Sequence, residues 1–500
     1  MKLSSLFSAS NRTGRFLRML ATSNVGLVAT VVYSMGMVPI ILYFTSVADL
    51  GLWTLLVQFT GYLGLVDLGV SSACTRRFVG PIARKEIDAL SATFKTAFII
   101  SAMQGAFCCL LAFLVFPMSS LLAIPKEKAD LFCSVLFIQT LLVGAFFVLR
   151  PFSSILQAAQ RYELNHAVSA ITTVLSLAII WFGLKSGTGL WTLPLVWLVQ
   201  QSSSVFATLF MLKRLKLFPA GWRDHRTSWY SMTAFWGESL DFFSWSGFSI
   251  LGSSLQSVFL SRFLGLEAVA IWNVGTKLAS FAYMLFSNFF NTAFMGLSEL
   301  FERGNPQNCL RSFLDLFIPT LSCLTIFAGC AVLFNDLFIL LWTHGQIAFA
   351  PSCTWAIFSW LIFAGTLRAL ACFSNIWQNR KAMRIGPAVE FASLVLFLGL
   401  SLFAPSLKWF AFALMASQIP PILLSYGPSF LIVSKFFNIR LSNNQWGVIT
   451  FSLAFFISAI GVRAFHAPSV PQALILSFLG LPWVYFFLKE LNAFMLLRRN

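Results

Sequence analysis

The chain has 500 residues, of which 58% are hydrophobic, 16% aromatic and only 10% charged. A soluble domain carries about 25% charged and about 45–50% apolar residues, so the composition excludes a soluble enzyme, a disordered chain and a nucleic-acid binder. The net charge of +17 does not point to nucleic acid, because the basic residues sit in short gaps between long apolar runs. That is the pattern of cytoplasmic loops in a membrane protein.

A spanning helix needs about 20 apolar residues. Taken in chain order, the apolar runs predict fourteen, over 20–44, 48–73, 94–116, 131–156, 166–183, 190–212, 239–260, 268–296, 312–334, 351–377, 386–404, 408–434, 446–465 and 471–490. The expected fold class is therefore an all-α polytopic integral membrane protein. Residues 1–19 carry Phe7, Phe16 and Leu17 among Arg12, Arg15 and Arg18, which reads as a basic segment on the membrane surface. The first apolar run is too long for a signal-peptide core and no small-residue cleavage site follows it, so it counts as a helix. The last residues, 491–500, read as a cytoplasmic tail.

Basic residues fall unevenly in the gaps. Of 34, one set of alternate gaps with its adjoining helix ends holds 26 and the other six, while Lys277 and Arg368 lie deeper inside helices. This bias predicts both termini in the cytoplasm and supports an even helix count. The longest outer gap, 335–350, and the longest inner gap, 213–238, leave no room for a catalytic domain. No nucleotide-binding loop appears. The nine cysteines and four histidines show no metal-ligand spacing, so neither cofactor nor metal is expected and the cysteines read as core side chains.

The second helix opens Val47-Ala48-Asp49-Leu50-Gly51-Leu52-Trp53, and the eighth opens Leu266-Glu267-Ala268-Val269-Ala270-Ile271-Trp272. The tryptophans are 219 residues apart, and the same offset places the first helix on the seventh and Gln58 on Lys277. A six-helix repeat keeps its membrane orientation, so two bundles related by an axis along the membrane normal are expected. They cover 20–212 and 239–434, joined by the linker 213–238, with two additional helices within 446–490. Two bundles with a cleft between them describe an alternating-access transporter.

The run Asp49 through Leu56, then Gly61-Tyr62-Leu63-Gly64-Leu65-Val66-Asp67-Leu68-Gly69-Val70 and Ala73 through Arg76, resembles the polysaccharide-export proteins, the Wzx-type O-antigen and oligosaccharide flippases. Asn24 and the opening of the eighth helix also fit that resemblance, which covers about thirty residues well. The wider fold is shared with multidrug extruders and lipid II flippases. The resemblance implies transport of an oligosaccharide on an undecaprenyl pyrophosphate carrier across a bacterial inner membrane, for O-antigen, capsule or exopolysaccharide synthesis. No covalent bond is made, so the protein is not expected to be an enzyme. A glycan polymerase and a chain-length regulator are the expected partners besides membrane lipids.

Lys277 is the leading candidate for substrate contact. It falls near the middle of the eighth helix, where a lone Lys costs about 2.5–3.5 kcal/mol on insertion scales and reads as functional. Gln58, Asn24 and Asn273, with Asn288 and Asn291, are polar groups expected to face the cleft. Arg18, Arg76, Arg150 and Arg368 form a candidate cytoplasmic mouth for the pyrophosphate, because guanidinium binds phosphate oxygens bidentately. They equally serve the positive-inside bias, and Arg368 is expected to snorkel. Pro151 is expected to loosen the fourth helix, Asp67 to pair with Arg76 or Arg77, and Glu238 and Asp241 to complement a helix N-terminus. The alternatives are a cation-coupled multidrug extruder of the same fold, disfavoured because Lys277 is the only deep charge and is positive, and a membrane glycan polymerase or ligase, disfavoured by the short outer gaps.

Overall fold

The computed structural model describes residues 12–465, apart from 117–121, 123, 160, 162, 226, 228–231, 234, 237–254, 303, 378 and 439–441. The predicted helix at 471–490, most of that at 239–260, Glu238 and Asp241 lie outside the described residues, and so do the side chains of Arg18 and Asn24. Every regular element among the described residues is helical. In a bilayer no water meets the backbone, so an apolar run satisfies its own N–H and C=O groups by coiling. Eleven described helices are long and apolar enough to cross a membrane, and a bent pair supplies a twelfth. These twelve coincide with twelve of the fourteen predicted runs. The protein is a multi-pass membrane protein of the all-α class.

The chain divides into two compact units, Met1–Ala270 and Ile271–Asn500. The first contains α1 (Arg12–Phe44), α2 (Val47–Tyr62), α3 (Val70–Arg84), α4 (Ile87–Leu111), α5 (Lys126–Phe147), α6 (Arg150–Ala158), α7 (Glu163–Lys185) and α8 (Thr192–Arg214). Helix α2 starts where the sequence placed it, because Ser46 and Asp49 form a reciprocal cap. Asp49 also takes an ion pair from Lys128 at 2.6 Å. Gly51 is required one turn on: a Cβ there would lie 2.0 Å from the carbonyl oxygen of Leu266. The openings of the second and eighth predicted helices are thus in backbone contact.

Two predicted helices of this unit prove to be broken. The run 48–73 stops being α-helical at Tyr62, tightens into a 3₁₀ turn over Leu63–Asp67, and reverses at Leu68 and Gly69. Both residues have positive φ, 46° and 79°, a conformation that ends a helix. The chain restarts as α3, whose buried face of Val70, Ala73, Cys74 and Phe78 joins Phe94 and Phe152 in a core cluster. The run 131–156 likewise ends at Phe147 and resumes as α6. Pro151 therefore does not loosen a continuous helix. It occupies the first turn of a new one, where its missing N–H is not needed. Residues after α8 also pack on this unit: Trp222 lies against Phe94 and Phe98, with ring centroids 5.4 and 4.6 Å away.

The second unit takes up the chain within α9 (Leu266–Gly275), followed by α10 (Lys277–Glu302), α11 (Pro306–Trp342), α12 (Pro351–Ile376), α13 (Arg380–Ser401), α14 (Leu407–Ser417), α15 (Gly427–Phe436) and α16 (Asn443–Phe465). The predicted outer gap at 335–350 is shorter than expected, because α11 continues to Trp342. The run 408–434 is interrupted by Pro420 and Pro421 and by a wide π turn over Ile422–Tyr426, as expected where proline removes a backbone donor. Helix α16 lies along α11. Arg463 pairs with Asp336 near one end, Gln445 donates to Asp315 at 3.1 Å near the other, and Phe455 abuts Gly329 between them. Thr354 adds a 2.7 Å hydrogen bond to Asp336.

Candidate functional site

Each unit places a basic residue at a break in a membrane-crossing path. In the first unit the break follows α5. The Val148–Leu149 turn ends one helix and Arg150 opens the next. The Arg150 guanidinium reaches back to Asp67 Oδ1 at 3.0 Å and lies over the Phe147 ring, 3.7 Å from its centroid. Arg150 thus supplies the cation that Arg76 or Arg77 was expected to give Asp67. Asp67 is held as well: Ser71 Oγ donates to its Oδ1 at 2.6 Å, and Gln104 Nε2 donates to the carbonyls of Val66 and Asp67 at 2.8 and 2.7 Å. The Asp67-Leu68-Gly69 reversal is therefore a stitched corner whose carboxylate neutralises Arg150.

That corner borders a cavity of about 420 Å³ built from the ends of α2 and α5, the start of α3, and one face each of α6 and α8. Its polar wall includes Gln157, Gln201, Ser204 and Ser153, and its apolar wall Phe146 and Trp197, which meet edge to face at 5.3 Å. On α8 the cavity residues Trp197, Gln201, Ser204 and Thr208 recur at helical spacing. Leu195, Val199, Phe206 and Phe210 form a separate, exposed stripe. Periodicity within 190–212 was the available signal, obscured because the whole run is apolar enough to read simply as a span.

In the second unit the break lies inside the eighth predicted span. Helices α9 and α10 meet at a 52° bend, with Thr276 between them and Lys277 opening α10. Lys277 follows Leu266 by about 16 Å of helix at ~1.5 Å per residue. Two features fix the bend. A Cβ on Gly275 would fall 2.2 Å from the Phe349 ring, so only glycine fits, and Asn335 Nδ2 donates to the Gly275 carbonyl at 3.1 Å. A carbonyl freed by the break is thereby satisfied inside the protein, as a bilayer demands. Lys277 is half-buried, and among the described residues no carboxylate pairs with it. Asn273 lies four residues before it, also half-buried.

Solved structures share this architecture. No family model matches the sequence, and neither does any curated protein. The lipid II flippase MurJ, in an inward closed conformation, superposes with a TM-score of 0.67 at 14% identity, over 95% of this chain and 100% of that one. An inward-facing multidrug resistance MATE transporter of the MOP superfamily gives 0.63 at 13% identity, over 83% and 100%. A point mutant of the Vibrio cholerae MATE transporter VcmN gives 0.59 at 15% identity, over 86% and 98%. The fold is that of MATE and MurJ transporters.

Within this fold the sequence-predicted residues fall into separate groups. Gln58 is half-buried on α2 and Arg76 is exposed on α3, both in the first unit with Arg150. Lys277, Asn273 and Arg368 belong to the second. Arg368 does not join Lys277: it hydrogen-bonds Asn291, fourteen residues and so ~21 Å further along α10. It also lies within the field of Glu390 on α13, a residue that sequence reasoning passed over. Glu390 is nine residues into its span, ~14 Å deep at ~1.5 Å per residue. Lys277 is therefore not the only deep charge, and the ground on which a cation-coupled carrier was disfavoured is weaker than the sequence implied. Arg368 lies eight residues before the end of α12 and is half-buried.

Proposed function

We propose that this chain is a flippase that carries an undecaprenyl-pyrophosphate-linked oligosaccharide across a bacterial inner membrane by alternating access, with both termini cytoplasmic, for O-antigen, capsule or exopolysaccharide synthesis. The observation that carries the reading is Lys277, a cation at a helix break within the membrane, which no described carboxylate neutralises. A lone cation within a span is costly, and an anionic cargo compensates it as a structural partner would. Broken spans mark substrate sites in transporters, because the freed backbone and the helix N-terminus face the ligand. Here the N-terminus of α10, with its positive dipole end, adds to the Lys277 charge. The MurJ likeness supports a lipid-linked substrate, and the Asp-Leu-Gly segments supply the resemblance to oligosaccharide flippases. Within this reading a glycan polymerase and a chain-length regulator are the downstream partners.

A second reading, a cation-coupled drug extruder, is favoured by Glu390, a carboxylate within the α13 span, since intramembrane carboxylates carry coupling ions. One experiment separates the two. Cells carrying Lys277→Ala at unchanged membrane abundance are expected to lose surface glycan and to accumulate the lipid-linked precursor on the cytoplasmic leaflet. Normal glycan export together with a fall in drug resistance would favour the extruder.

A further inference from the structure

We infer that the 420 Å³ cavity of the first unit is a subsite for a neutral sugar ring of the cargo, and that it does not bind the pyrophosphate. The inference rests on the flippase reading and adds to it the place and chemistry of glycan recognition.

Three observations carry it. First, the cavity presents no net charge. Its basic lining residue, Arg150, is neutralised by Asp67 at 3.0 Å and stacked on Phe147, so its guanidinium is already engaged on two sides. A pyrophosphate would have to displace that carboxylate. Second, the polar groups are of the kind that reads hydroxyls. The Gln201 amide and the Ser204 hydroxyl line the cavity and make no hydrogen bond to the described residues. Gln157 Oε1 lies 3.2 Å from the Thr75 hydroxyl, whose hydrogen is shared with the Ser71 carbonyl at 2.9 Å, and the Gln157 amide N–H groups make no hydrogen bond to the described residues. Donors and acceptors are thus available together, as a polyhydroxylated ring requires and as a cationic drug does not. Third, Trp197 stands beside them, braced edge to face by Phe146 at 5.3 Å. A sugar ring has an apolar face of C–H groups and an equatorial rim of hydroxyls. An aromatic wall next to a polar one suits both. The volume lies at the small end of the ~300–1,000 Å³ usual for ligand pockets.

The test uses the full-length protein in lipid nanodiscs and four probes. They are undecaprenyl pyrophosphate alone and the same carrier bearing one glucosyl, one N-acetylglucosaminyl or one glucuronyl residue. The wild-type protein is expected to bind at least one of the two neutral glycosylated carriers about tenfold more tightly than the bare one, the gain typical of one or two added hydrogen bonds. The acidic glucuronyl carrier is expected to gain less. In Gln201→Ala and in Ser204→Phe, which fills the cavity, the sugar increment should vanish while the bare carrier binds as before. Bound bare carrier also shows that each variant is folded. Trp197→Leu is expected to lose most of the increment. An increment that survives Gln201→Ala and Ser204→Phe overturns the subsite, and so does a wild-type protein that binds the bare carrier with no gain from either neutral sugar. A wild-type protein that binds none of the four overturns the flippase reading, and the subsite with it.

Discussion

Arg150 and Lys277 each open a helix, one just after a completed span and one inside a bent span, and they differ in what surrounds them. Arg150 meets a carboxylate, an aromatic face and a corner held by hydrogen bonds, whereas Lys277 meets a capped carbonyl two residues away and no described carboxylate. The two cations differ in whether a carboxylate answers them. A cation whose charge is answered within the protein fixes a corner. One whose charge is left open is available to an anion.

The largest effect is expected from making Lys277 resemble Arg150. Asn273→Asp places a carboxylate on the last turn of α9, just across the Thr276 break from Lys277. Glycan export is expected to fall roughly 10–100-fold, matching the ~1.5–3 kcal/mol of a charged hydrogen bond. Unchanged export in that variant would break the comparison. The reverse change makes Arg150 resemble Lys277. Asp67→Asn leaves the guanidinium without its counter-charge at a site that is 19–36% exposed. A loss of about 1–3 kcal/mol in stability is expected, between an exposed pair's ~1 and a buried pair's ~3–5, read as a lower unfolding temperature in detergent.

Smaller effects sharpen the supports. Asn335→Leu removes the donor to the Gly275 carbonyl and should destabilise by about 1–3 kcal/mol, the cost of a buried unsatisfied group. Export by this variant should fall in parallel if the bend positions Lys277. Arg150→Lys keeps the charge near Asp67 but loses the planar stack on Phe147. About 0.5–1 kcal/mol is expected, the size of an exposed cation–π contact, with export unchanged.

Run length alone made the described spans legible, because the bilayer fixes how many apolar residues a crossing needs. The breaks were harder to read. The sequence contains Asp-Leu-Gly twice, at 49–51 and 67–69, and uses it in opposite ways. Asp49 completes the cap that starts α2, and Asp67 closes the corner that ends the crossing. The difference comes from Ser46 and Lys128 in one case and from Gln104 and Arg150 in the other. Three of those four residues are distant in sequence. The bend at Thr276 was invisible for the same reason, since Phe349 and Asn335 impose it from elsewhere in the chain. Lys277 was legible because a charge inside an apolar run stands out. The cavity stripe of α8 was not, since Gln and Ser barely lower the apolarity of the run that carries them.

The attachment of α16 to α11 bears on how far this architecture can be shortened. An ion pair and a side-chain amide fasten the two helices near both ends, and an aromatic ring is wedged against glycine between them. A chain cut after residue 442 would strip Asp336 of its cation and leave a groove in α11 facing lipid. Twelve helices are therefore not a modular minimum for this protein. The thirteenth predicted segment is dovetailed into its unit and travels with it.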